Sequence, residues 1–152
     1  MSKQAEGDLI LKLYDLRREA TMRKARDWFF LEFHPENMED YNATLFGEHS
    51  GHLRMVLTYW EMAAALVNNG AISIEMFNDT NGEHIGVFSK VENLIPELRK
   101  AWGPQFVQSL EKLIDATPNG RQRSAEMRER MKGVRAQLAA RQAAAAATAG
   151  KN

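Results

Sequence analysis

The chain has 152 residues, 44% of them hydrophobic and 26% charged, which is enough for one ordinary globular domain with a real core. Lys plus Arg and Asp plus Glu balance at 20 each, which argues against a whole-protein electrostatic partner such as nucleic acid. Cysteine is absent, so disulfides, thiolate metal sites and cysteine nucleophiles are all excluded. The charge balance hides an asymmetry. Residues 121–152 hold eight Lys or Arg against two Glu, a charge of +6, which leaves −6 on residues 1–120.

The opening MSKQAEGDLILKLYDLRREA has only a brief apolar run before charges return, so no secretory signal is expected and the setting is cytoplasmic. Asp8 is the expected N-cap of a long helix over residues 8–33, ended by His34-Pro35. That helix has two apolar stripes. Leu9, Leu13, Leu16 and Ala20 share one face, and Met22, Ala25, Phe29 and Phe33 lie nearly opposite. A helix with two apolar faces must touch two bodies. A short helix follows over residues 38–46 and is stopped by Gly47.

Residues 53–67, LRMVLTYWEMAAALV, are apolar on most of their circumference and predict the central helix of an all-helical domain. Arg54, Thr58 and Glu61 form its one polar stripe, expected to be buried, with the arginines of the first helix as the partners of Glu61. Asn68-Asn69-Gly70 ends it. Ser73 caps a short helical piece. A longer helix over residues 82–102 is interrupted near Pro96, and another covers residues 105–116. The last helix, residues 121–147, is rich in strong helix formers. Its seam of Met127, Met131, Val134 and Leu138 is too narrow for a self-sufficient core.

The expected fold is all-α: a compact helical bundle of six or seven helices over residues 1–120, with a basic, extended C-terminal helix over residues 121–152. No phosphate loop, nucleophile elbow, zinc motif or calcium loop is present. His49 and His52, three residues apart, are the only metal candidates, and no Glu-x-x-His pair of a helical di-metal site supports them. No cofactor is expected, and the basic tail lacks the interleaved aromatics of a nucleic-acid surface.

From Tyr59 to Trp102 the stretch YWEMAAALVNNGAISIEMFNDTNGEHIGVFSKVENLIPELRKAW resembles a bacterial family of unknown function made of short all-helical proteins. The earlier LYDLRREATMRKARDWFFLEFHP is similar to the helix that precedes it in that family, so the resemblance spans about residues 9–102. It implies an all-helical fold and an intracellular bacterial setting. It implies no activity and no site residue.

The expected function is therefore non-enzymatic: self-assembly into a homo-oligomer, or a structural or protein-interaction role. Met22, Phe29, Phe30, Phe33, Met127, Met131, Val134 and Leu138 would form the interface. The alternative is a helical domain that binds a small molecule or metal through His49, His52 or Glu61.

Overall fold

The structure, a computed structural model, describes residues 2–151. In chain order its helices are α1 (Lys3–Arg17), α2 (Ala20–Leu31), α3 (Met38–Leu45), α4 (Ser50–Asn68), α5 (Ile74–Thr80), α6 (Glu83–Val91), α7 (Ile95–Trp102), α8 (Gln108–Ala116) and α9 (Gly120–Ala149). A 3-10 turn, Glu92–Leu94, joins α6 to α7. The fold is all-α, with a long C-terminal helix, and no strand occurs among the described residues.

There are more helices than the six or seven expected because the first predicted long helix is broken, and because the interruption expected near Pro96 divides residues 82–102 into two separate helices. The first breaks at Arg18-Glu19. There the Glu19 carboxylate accepts hydrogen bonds from the N–H groups of Thr21 (3.0 Å) and Met22 (2.9 Å) and caps α2. α1 in turn starts earlier than expected. Its cap is Ser2, whose hydroxyl accepts from the Ala5 N–H, and Asp8 lies inside the helix. The break also undoes one predicted stripe: Leu16 and Ala20 are exposed, and Ile10 and Leu13 carry the burial of α1. The second break lies at the 3-10 turn, after which Pro96 sits in the first turn of α7, where its missing N–H costs nothing.

α4 lies at the centre and meets α2, α3, α5, α6 and α8. Its Leu53, Val56, Trp60, Ala63 and Ala64 are almost fully buried, together with Phe29, Phe77 and Phe88 from its neighbours. Burying a large side chain of this kind stabilises by about 1.5 to 3 kcal/mol. The second stripe of the first predicted helix is also buried here. Met22, Ala25, Phe29 and Phe33 on and just after α2 are all covered by this domain's own helices.

Several helix ends are sealed by side chains from elsewhere in the chain. Glu6 of α1 accepts from the Ser73 N–H (2.5 Å) at the start of α5, which holds its carboxyl below the usual range. Two further bonds tie helices together rather than cap them: the Tyr59 hydroxyl donates to the Leu13 carbonyl of α1, and the Asn68 amide donates to the Ser109 carbonyl of α8 (2.8 Å). Arg26 makes a bidentate pair with Glu83 (2.8–3.1 Å), which ties α2 to the first turn of α6.

The first half of α9 belongs to this packing. Arg121 bonds Asp115 at 2.6 Å, Glu111 at 3.0 Å and Glu92 at 3.4 Å, and Ser124 donates to Glu92 at 2.6 Å. Gly86 on α6 lets α2 and α9 come close: a Cβ there would stand 3.1 Å from the Phe30 ring and 3.7 Å from Met127. After Arg135 the helix leaves the body, and residues 136–149 are all exposed.

Candidate functional site

The residues singled out in the sequence scatter. Arg54 and Thr58 are exposed, and the Thr58 hydroxyl bonds back to the Arg54 carbonyl within its own helix (2.6 Å). The expected buried polar stripe therefore reduces to half-buried Glu61, and its partners are not arginines. Its two oxygens accept from the N–H groups of Ser109 (2.6 Å) and Leu110 (2.9 Å), at the first turn of α8. The cap position of α8 is Val107, buried and at φ 44°, a conformation that a β-branched residue rarely adopts. Glu61 supplies the cap that Val107 cannot. Glu61→Ala is expected to cost about 1 to 2 kcal/mol in urea unfolding, the range of a lost helix cap. A loss of about 3 to 5 kcal/mol would restore the buried ion pair.

His49 and His52 pack on Trp28, with His49 stacked at 5.0 Å between ring centroids and an interplanar angle of 13°. Among the described residues no group of three His, Asp or Glu is placed to hold a metal. Of the residues expected at an interface, Met22, Phe29 and Phe33 are in the core, while Phe30, Met127 and Met131 are half-buried between α2, α6 and α9. Only Val134 (44% exposed) and Leu138 (40%) stand open.

What the structure does assemble is a cleft of about 390 Å³ between the end of α2, the α6 region and the inner face of α9. Its deepest cation is Lys90 of α6. The ammonium lies 2.7 Å from the Phe29 carbonyl, 2.6 Å from that of Phe33 and 3.3 Å from that of Phe30, closing the C-terminal end of α2. It also lies 3.1 Å from His34 Nδ1. The other His34 nitrogen, Nε2, is 3.0 Å from the Leu31 carbonyl and must carry the proton to donate there. Nδ1 therefore accepts from Lys90, and the imidazole is neutral. Burial, and then the Lys90 charge, push His34 down to about 4. Burial, and then the Arg135 guanidinium, push Lys90 down to about 7.

α9 adds Arg128, Lys132 and Arg135 to the lining, and Met131 lies on the same wall. Arg128 donates to the Ser89 carbonyl (3.0 Å) and stands 3.5 Å from Glu92. Asn93, Leu94, Pro35 and Glu36 complete the opposite side, with Glu36 the one acid on the lining. The α9 part of this site was legible, since 128, 132 and 135 fall on one helical stripe. Lys90 and His34 were not, because only the chain's return brings α6 beside the end of α2.

An all-helical domain with a basic helix laid across its end is thus the class that fold and site define. The chain belongs to the family described as Domain of unknown function (DUF4760), whose model matches residues 4–117. The match stops just before α9, so one wall of the cleft belongs to the matched region and the other to the helix outside it. No curated protein and no solved structure matches the chain. No helix among the described residues is long and apolar enough to cross a membrane.

Proposed function

We propose that this protein works by assembly rather than catalysis, with the outer half of α9 from one copy docking on the acidic α2–α3 corner of a second. The exposure of every residue in 136–149 carries this reading. Those residues project about 21 Å at 1.5 Å per residue. An Ala-rich helix with nothing beside it is only marginally stable in water. Val134 and Leu138 give it a short apolar seam.

Charge indicates what covers it. Residues 133–151 carry Arg135, Arg141 and Lys151 and no acid, whereas residues 27–52 carry six exposed acids and no Lys or Arg. Leu31 (61% exposed) and Phe46 (76%) stand among those acids as apolar anchors. Reciprocal exchange of two tails gives a closed, two-fold dimer. We take its setting to be the bacterial cytoplasm, as the family resemblance implies.

Light scattering on the intact chain is expected to give twice the monomer mass at low salt and less at high salt, because the contact is partly ionic. Leu138→Glu and Glu39→Lys should each yield monomers whose melting transition above the dissociation range is unchanged. A monomer for the intact chain at every salt concentration would sink the proposal.

A further inference from the structure

We propose that the cleft between α2, α6 and α9 is a binding site for a small organic phosphate, gripped by Arg128, Lys132 and Arg135. The first observation is an imbalance of charge in a concave place. Three cations at spacings of four and three share one helical stripe, an arrangement that weakens a helix unless something relieves it. Lys90, which burial leaves about half charged near neutral pH, stands on the opposite wall. The acids at hand do not cancel them. Glu36 is the one carboxylate on the lining, and Glu92 is shared among Arg128, Arg121 and Ser124. Lys132 meets Glu129 at 3.1 Å on an exposed face. Among the described residues, no carboxylate lies within ion-pair distance of Arg135.

Geometry then narrows the ligand. The donors of Lys90 are taken by the α2 carbonyls and His34, so it has no hydrogen bond to offer a ligand. The α9 side chains are the ones available to donate. Arg128 and Arg135 lie seven residues apart, about 10 Å along the helix, with Lys132 between them. That span suits a group with anionic oxygens spread over two centres, such as a diphosphate, better than a single carboxylate. Guanidinium forks bind phosphate oxygens in pairs, and an ammonium serves as a point charge between them. Met131, Leu94 and Pro35 offer an apolar wall to an uncharged body, and a volume of about 390 Å³ is that of a small-ligand pocket. A nucleic-acid strand fits less well, because no Phe, Tyr or Trp lines the cleft and Glu36 stands on its wall.

Calorimetry on the full chain at physiological salt tests this, with ADP, inorganic pyrophosphate, adenosine, citrate and a single-stranded oligonucleotide as probes. ADP is expected to bind once per chain, pyrophosphate more weakly, and adenosine not at all. Arg135→Gln and Lys132→Gln should each lower ADP affinity about tenfold or more, without lowering the melting temperature of the unliganded protein. Arg141→Gln removes the same charge outside the cleft and should leave ADP affinity unchanged. Silence with both ADP and pyrophosphate at millimolar concentration would overturn the proposal. So would citrate binding as tightly as ADP, an oligonucleotide binding more tightly, or an equal loss in Arg141→Gln.

Discussion

Gly120→Ala should destabilise the domain by about 3 kcal/mol, the upper end for an overpacked site, and lower its melting temperature by roughly 6 to 12 °C. Gly120 is the buried first residue of α9 and follows Asn119, which is in the left-handed conformation. A Cβ on Gly120 would lie 2.0 Å from the Ile114 carbonyl oxygen and 2.9 Å from its carbon. Both are backbone atoms near the end of α8, so neither can swing aside. Relief requires moving the start of α9, which strains the bonds of Arg121 and Ser124 to Glu92. Gly133, on the same helix, has nothing within 4 Å of its added Cβ. Gly133→Ala should therefore stabilise α9 by about 0.5 to 1 kcal/mol, the usual helical preference for alanine. Thermal unfolding of both variants reads the contrast. Equal effects would mean that the α8–α9 junction is looser than its geometry indicates.

The second large effect concerns His84. Its side chain is fully buried in the core, 5.0 Å from the Phe77 ring and 5.8 Å from that of Trp60, and neither ring nitrogen has a hydrogen-bond partner among the described residues. Burial pushes its proton affinity down to about 4, and nearby Arg123 acts in the same direction. Between about pH 6.5 and 4 the unfolded chain therefore takes up a proton that the folded chain refuses, and stability falls as the solution is acidified. A shift of this size amounts to about 3 kcal/mol at 1.36 kcal/mol per unit. His84→Leu should lack that component while remaining about as stable at pH 7, since the wild-type ring has no protein bond to lose. Other groups, including His34 and Glu6, titrate in both proteins and cancel in the comparison. Urea unfolding at pH 6.5 and pH 4 measures the difference. If it stays below about 1 kcal/mol, His84 is not the acid-sensitive group of the core.

The helices that the sequence predicted well are those whose ends carry their own signal. Gly47, Asn69-Gly70 and Ser73 each mark a terminus locally, and α3, α4 and α5 appear where those residues place them. The break at Glu19 was missed because a Glu inside a run of helix formers reads as more helix. Only its carboxylate bonds to Thr21 and Met22 show it to be a cap. Glu61 was misjudged for a related reason. Periodicity places a residue on a face but does not say which partner occupies that face. Hydrophobic stripes likewise located Met22, Phe29 and Phe33 as apolar surfaces needing cover, yet whether the cover is a second chain or α4 and α6 depends on contacts distant in sequence. The cleft is the extreme case. Lys90 and the stripe of Arg128, Lys132 and Arg135 are about 40 residues apart, and no local pattern joins them.

The long-range sealing of helix ends also governs how the chain comes apart. α1, α2, α5 and α8 each rely at one end on a side chain from another helix: Arg26, which donates to the Arg17 carbonyl at 3.4 Å, then Lys90, Glu6 and Glu61 respectively. Such a helix has frayed termini until its donor or acceptor arrives, so it gains little by forming early. Amide exchange in these four helices should then slow to a common, global rate, with no graded series of partial openings. Residues 136–149, which exchange no such bonds with the body, should lose their protection orders of magnitude sooner in the isolated chain.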